Sequence, residues 1–278
     1  MFKSVYVIPK YNAETDPHVV MIVEAIKRTA EACRLFILND ANRCTTGTLI
    51  VAVGGDGTML GAMRIAAKHN SVAMGVNLGR IGFLTDFAGY HDSDAVEALF
   101  SDIFEYSHVI YPVEARLMIR AWSGTESVVA GNEISVSRDK SDSMITYRLI
   151  LDDTDSGVYR ANSLLVSTPS GSTAYSLSAG GALMMPAIQA MQVVPVAALT
   201  MTARPIVISH DTSVEIQAWG GKMTARSDGL EWVNSDKEYT KEDPFTVFVK
   251  HAGTVSILHN KDWNYFDMLT QKLGWIKE

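Results

Sequence analysis

Residues 48–53, TLIVAV, form a nearly unbroken apolar run that stops at GGDGT (54–58). A strand without polar alternation needs cover on both faces, which parallel sheets flanked by helices provide. The neighbouring segments fit that demand. KSVYVIP (3–9), RLFIL (34–38) and SVAMGVN (71–77) read as further strands, and TMLGAMRIAAKH (58–69) as a helix. HVVMIVEAIKRTAEA (18–32) sets Val19, Ile22, Val23, Ile26 and Ala30 on one side at helical spacing. Strand–helix alternation predicts an open, doubly wound α/β domain over residues 1–110. Ligands of such sheets sit at the carboxyl ends of strands, where residues 54–58 fall.

From residue 111 the texture changes. ARLMIRAW, GNEISVS, MITYRLILD, SLLVSTP, IVISHD, SVEIQAW and FTVFVKH are short, β-branched segments separated by Gly, Ser, Asp and Pro. They predict a mostly-β domain of packed sheets over 111–261. DWNYFDMLTQKLGW (262–275) reads as an amphipathic helix with Phe266, Leu269 and Leu273 on one stripe. The segment 262–278 is expected to return to the first domain.

The formal net charge is −7, which disfavours general nucleic-acid binding. The two cysteines, Cys33 and Cys44, show no CxxC or zinc-type spacing. That predicts reduced thiols and neither a disulfide framework nor a structural metal. His18, His69 and His210 have no partners at catalytic spacing, so surface or structural roles are expected for them. The N-terminal apolar run is too short for a signal peptide and no 18-residue apolar segment follows, so a soluble, cytoplasmic chain without membrane contact is expected.

GGDG by itself is an ordinary turn composition. Its setting, after a buried strand and before a helix, lets backbone N–H groups approach a phosphate. The chain has no GxxxxGK[ST], and Gly55, Gly57 and Gly61 miss GxGxxG by one residue. A carboxylate stands in the loop instead. Asp56 beside phosphates makes sense as a proton acceptor or a metal-binding group, held by a bend that glycines are expected to require. GVNLGRIGFLTDF (75–87) is a second glycine-rich loop, where Arg80 either faces an anion or is solvated. Asn132 and Glu133 head a strand; such a pair can hydrogen-bond sugar hydroxyls or a base edge, but on the pattern alone they read as surface loop residues. TPSGSTAYSLSAGG (168–181) is too rich in small hydroxyl residues and glycine for a core element. Its apolar flanks argue for an ordered binding loop supplying short-range donors and the aromatic face of Tyr175.

Together GGDGT (54–58), GVNLGRIGFLT (75–85), NE (132–133), STPSGSTAYSLSAGG (167–181), ARPIVIS (203–209), SDG (227–229) and FDMLTQKLGW (266–275) resemble the NAD kinase family in order and spacing. GGDGT is shared with diacylglycerol and sphingosine kinases and 6-phosphofructokinases; the hydroxyl-rich stretch is far more specific. The resemblance implies a Rossmann-like N-terminal domain and a C-terminal β-sandwich, as in the NAD kinase and diacylglycerol kinase-like folds. It implies transfer of phosphate from ATP, or polyphosphate, to the 2′-hydroxyl of the adenosine ribose of NAD. It further implies Mg²⁺ or another divalent metal and a homodimer or homotetramer. Asp56 is then the catalytic residue. Nucleotide binding falls to Gly55, Gly57, Thr58, Phe83, Asn132, Glu133, Arg160, Asn162, Thr173, Ala174, Tyr175, Ser178 and Ala197. Arg160 matches an arginine that reaches a neighbouring subunit's site in oligomers. The chain departs from the family at Asn162-Ser163 (usually Asp-Gly), Leu230 (Gln), Ala198-Leu199 (Pro-His) and Ser143 (His). These changes spare Asp56 and bear on affinity and substrate preference. Two alternatives remain at this level: a nucleotide sensor that has lost turnover, and a lipid kinase of the diacylglycerol type.

Overall fold

The computed structural model describes residues 2–79, 82–139 and 144–276. Arg80 and Ser143 lie outside the described residues. The chain divides into two compact units, Met1–Ala115 with Val255–Glu278, and Arg116–Thr254.

The first unit begins β1 (Ser4–Pro9), α1 (Pro17–Ala32), β2 (Phe36–Leu38), β3 (Thr48–Val53), α2 (Asp56–His69), β4 (Val72–Val76) and α3 (Ser93–Ile110). Its strands pair in parallel in the order β2-β1-β3-β4. Every residue of β3 is buried, as a strand covered on both faces requires. Helix α1 starts where Asp16 accepts from the amides of His18 and Val19 and Pro17 stands in the first turn. It buries Val19, Ile22, Ala25, Ile26 and Ala30, while Val23 is only partly covered. In this strand order β1 is followed by β2 on one side and β3 lies on the other. The chain therefore leaves β1 and β3 in opposite directions, and a crevice opens at their carboxyl ends. Gly54–Asp56 follow β3 at that point.

The second unit is a sandwich. Its strands are β5 (Val113–Ser123), β6 (Glu126–Ala130), β7 (Glu133–Arg138), β8 (Ile145–Leu151), β9 (Thr154–Ala161), β10 (Ser163–Ser167), β11 (Ala190–Val196), β12 (Ile206–Ser209), β13 (Val214–Trp219), β14 (Gly221–Ser227), β15 (Leu230–Tyr239) and β16 (Phe245–Leu258). A short α4 (Tyr175–Ser178) lies between β10 and β11. One sheet runs β12-β11-β10-β7-β14-β15; the other contains β16-β13-β8-β9, with β5 and β6 paired beside β16. Ile134, Val136, Leu164 and Val166 from one sheet and Ile145, Tyr147, Ile216 and Val247 from the other share the core between them. The last residues of β16 cross into the first unit, where Ser256 and Ile257 pair in parallel with Val72 and Ala73. Helix α5 (Tyr265–Leu273) follows, capped by Asn264 and ended by Gly274 in the left-handed region.

The sequence reading did not name α3, β6 or β14, and three further details differ from it. Helix α5 buries Tyr265, Met268 and Leu269, while Phe266 and Leu273 are exposed; Phe266 stacks on Trp275 instead. Strands β9 and β15 escape the apolar pattern because they are sheet edges with largely solvated side chains. Strand β11 carries Pro195, normally a mark against a strand. β12 pairs only with Ala190–Val193, so the missing N–H of Pro195 faces no ladder partner on that side.

Candidate active site

In the first unit the strand end builds a cradle around Asp56. The residue opens α2, whose first amides lack intrahelical partners and favour negative charge nearby. Asp56 Oδ2 accepts the Phe83 amide at 2.8 Å. Oδ1 accepts the Leu84 amide at 3.1 Å and the Thr85 hydroxyl at 3.0 Å. Thr85 Oγ1 itself accepts from the Asn77 side-chain amide at 2.7 Å, so its proton is directed to Asp56. A carboxylate oxygen has two lone pairs. Among the described residues, Oδ1 is therefore fully used, while Oδ2 retains one acceptor site on a half-buried side chain.

Gly82 makes this contact possible. A Cβ there would run into Asp56 Oδ1 and stand 2.5 Å from Thr85 Oγ1. Gly55 and Gly57 play a different part from the one expected. Gly55 has φ −95°, which any residue adopts, and Gly57 lies inside α2. Neither is needed for a left-handed bend, and a Cβ at either would meet nothing within 4 Å. They leave the helix start bare. Gly54 is the tight position of the three, because a side chain would strike Thr58.

The loop that donates to Asp56 is tied down from behind. Asp86 Oδ2 accepts the Asn260 amide at 2.8 Å and lies 3.2 Å from Nδ1 of the fully buried His259. The other His259 nitrogen is 3.3 Å from Glu114 Oε2, and the ring stacks on Trp263 at 4.1 Å.

In the second unit, Asn132 and Glu133 begin β7 on a turn held by Asp228. The Asp228 carboxylate accepts the amides of Gly131, Asn132 and Glu133 at 3.1, 2.7 and 3.2 Å. Asn132 Oδ1 and Glu133 Oε2 are buried with no hydrogen-bond partner. Burial first, and the Asp228 charge second, push the Glu133 carboxyl up to about 7.

The hydroxyl-rich loop is ordered, but most of its hydroxyls face inward. Thr168 donates to the Gly131 carbonyl at 2.6 Å, Ser172 to the Pro169 carbonyl at 2.6 Å, and Thr173 to the Ser170 carbonyl at 3.1 Å. Thr168, Ser170, Ser172 and Ser176 are buried. The hydroxyls of Thr168, Ser172 and Thr173 replace ladder bonds that the irregular backbone lacks. They shape the loop, which differs from the expected array of ligand donors. Tyr175 and Ser178 are exposed, and Thr173 and Ala174 half-buried.

Asn162 and Tyr175 line one polar cavity of about 280 Å³ with Ser135, Ser137, Arg138 and Arg226. Its floor is the outer face of the six-stranded sheet, where Ser137 pairs with Ser163 and Ser135 with Arg226. Arg226 bonds the Ser137 hydroxyl at 3.0 Å and lies 3.3 Å from Glu231. Among the described residues no carboxylate lines this cavity. Gly221, at φ +148°, admits the Arg138 guanidinium where a Cβ would collide with it. Arg160 is exposed on β9, and its carbonyl accepts the Leu199 amide at 2.9 Å. Ala197 is exposed and holds φ +48°, an uncommon conformation for alanine. Leu199 and Leu230 are both exposed.

Of the expected site residues, Gly55, Asp56, Gly57, Thr58 and Phe83 belong to the first unit and the rest to the second. Sequence reasoning overlooked Gly82 and Thr85 as partners of Asp56, Asp228 as the anchor of the Asn132 turn, and His259. SDG (227–229), with Asp228 at φ +49°, was the available signal for the turn.

The family described as ATP-NAD kinase N-terminal domain matches residues 12–108, and the ATP-NAD kinase C-terminal domain matches 131–250. The NAD kinase of Erwinia tasmaniensis is 33% identical over 247 residues, covering 84% of this chain and 78% of that protein. The chain belongs to the NAD kinase family. The NAD kinase of Shewanella frigidimarina is 34% identical over 253 residues, covering 88% of this chain and 77% of that one. Among solved structures, an NAD kinase from Archaeoglobus fulgidus in complex with ATP matches with a TM-score of 0.73 and 26% identity over 98% of each chain. Yeast NADH kinase complexed with NADH matches with a TM-score of 0.81, covering 100% of this chain and 89% of that one. At 20% identity the yeast enzyme speaks for the shared fold alone. This NAD kinase family member thus has the α/β and β-sandwich architecture expected of it. Among its described residues no helix is long and apolar enough to cross a membrane.

Proposed function

We propose that this chain transfers the γ-phosphoryl group of ATP to the 2′-hydroxyl of the adenosine ribose of NAD, giving NADP and ADP. The observation that carries this reading is the acceptor count at Asp56. Three donors orient the carboxylate, and among the described residues Oδ2 keeps one lone pair free. A ribose hydroxyl is a poor nucleophile. As its oxygen bonds to the γ-phosphorus, its proton passes to Asp56 Oδ2. The bond from the γ-phosphorus to the bridging oxygen breaks, and that electron pair leaves on ADP. Most of the rate enhancement is positioning and charge stabilisation, with the base adding about 10²–10⁴-fold.

The same acceptor count bears on a divalent cation. The one open site of Asp56 is taken by the ribose hydroxyl, so Mg²⁺ would be held chiefly by the substrate phosphates and its own waters, as it commonly is. When bound it would neutralise charge on the phosphoryl oxygens. The bare helix start at Gly55 and Gly57 is the surface on which phosphates approach. We assign nucleotide contacts to Thr58, Phe83, Asn132, Glu133, Thr173, Ala174, Tyr175, Ser178, Arg160 and Ala197. Asn162 works inside the polar cavity, where the loss of a carboxylate lowers affinity for cationic groups. A cytoplasmic homodimer or homotetramer completes the proposal.

Both the family match and the relatives above concern NAD kinases, which leaves the lipid-kinase alternative without support. Incubation with ATP, Mg²⁺ and NAD, read by an NADP-specific dehydrogenase, decides between catalyst and sensor. NADP formation that falls by about 10²–10⁴-fold in Asp56→Asn is the expected result. Equal turnover in the variant removes Asp56 as the base. NAD binding with no NADP from the wild type leaves only the sensor.

A further inference from the structure

We propose a second-unit metal site formed by His210, Asp211 and His251, selective for zinc-like divalent ions over Mg²⁺. His210 follows β12, the edge strand of the six-stranded sheet, and His251 lies in β16 of the other sheet. The two rings meet at 4.8 Å, nearly perpendicular. One ligand atom from each of the three residues lies within 4.8 Å of the other two. His210 Nε2 is 3.2 Å from Asp211 Oδ1, close to the separation of two ligands on one zinc ion.

A His–Asp ion pair alone does not account for the site. His251 Nε2 and His210 Nδ1 are both buried without a hydrogen-bond partner. A neutral imidazole has one N–H and one lone pair, and native proteins rarely leave such atoms unpaired. A cation accepting the His251 lone pair removes one of these deficits. Two imidazoles and a carboxylate suit Zn²⁺, Co²⁺ or Ni²⁺; Mg²⁺ prefers an all-oxygen shell. Both histidines are half-buried while Asp211 is exposed, so remaining coordination positions face water. The bound ion would pin the exposed edge strand β12 to β16. No part of this site belongs to the Asp56 cradle, so its success or failure is independent of the proposed reaction.

The test uses the full chain carrying Cys33→Ser, because Cys33 is an exposed thiol that would compete for metal. Metal-free protein is titrated with Co²⁺ and followed by visible absorption, then with Zn²⁺ by calorimetry. One equivalent should bind, millimolar Mg²⁺ should not displace it, and Zn²⁺ should raise the melting temperature. His251→Gln and His210→Gln should each weaken binding at least ten-fold and abolish the thermal shift, with NADP formation in Mg²⁺ unchanged. Folding of each variant is checked by its metal-free melting curve. Absence of stoichiometric uptake by the wild type overturns the site. So does unchanged uptake in a folded His251→Gln protein.

Discussion

Asp56 and Glu133 are both acids at the start of a regular element, yet their surroundings treat them oppositely. Asp56 accepts two amides and a hydroxyl. Glu133 keeps a buried oxygen without a donor, and its carboxyl is pushed up to about 7. The three amides that would have stabilised a charge at Glu133 are given to Asp228. One carboxylate is thus ringed by donors. The other is poised between donor and acceptor near neutral pH. Environment, more than residue type, separates their roles.

The contrast can be broken in graded steps below the loss expected for Asp56→Asn. Gly82→Ala should be the most damaging of these. The new Cβ displaces Asp56 Oδ1 and Thr85 Oγ1, and a shift of about 1 Å at a catalytic group reduces rate by about 10²-fold. Steady-state kinetics should show the loss in kcat, with a native-like melting curve. An unchanged kcat would mean that the cradle does not set the base.

Glu133→Gln tests the other acid. The folded carboxyl at about 7 lies above its ordinary 4.5. Its stabilising contribution is therefore complete below the unfolded value and is lost as pH rises through about 7. The ceiling of that loss is about 3 kcal/mol. Urea unfolding at about pH 5 and about pH 8 should show a wild-type decline that the variant flattens. Parallel pH dependence in both proteins refutes the assignment.

Asp228→Asn keeps the shape but replaces a charged acceptor facing three amides. A stability loss of about 2 kcal/mol is expected, with a weaker KM for nucleotide and a smaller change in kcat. The mildest change is Thr85→Val, which deletes one hydroxyl from Asp56 and leaves the Asn77 amide unpaired. It should reduce stability by about 1 kcal/mol and activity several-fold, measured by the same unfolding and NADP assays.

Much of this protein was legible from local pattern. The run TLIVAV had to be a doubly covered strand, α1 announced its buried face, and Asp56 was marked by what stands on either side of it. The hydroxyl-rich loop stood out in the same way as an ordered segment, whereas Asn132 and Glu133 drew notice only through the family resemblance, and Glu133 is buried, unlike the surface position its pattern suggested. Failures came where pattern and burial part company. The stripe on α5 was assigned to Phe266 and Leu273 although Tyr265 and Met268 do the packing. Polar edge strands carry no apolar signature, and Thr168, Ser172 and Thr173 of the loop satisfy backbone that no periodicity reveals.

Sequence alone determined the strand–helix alternation at the start of the chain, its two textures, and an acid at the head of α2. These follow from hydrophobic periodicity and turn chemistry, which act over a few residues. Tertiary structure decided which donors reach each oxygen of Asp56, why Gly82 has no side chain, and why Glu133 is hard to ionise. It also brought His210 to His251. Each of those outcomes depends on groups distant in the chain, and only folding sets the distances on which hydrogen bonding, steric exclusion and desolvation depend.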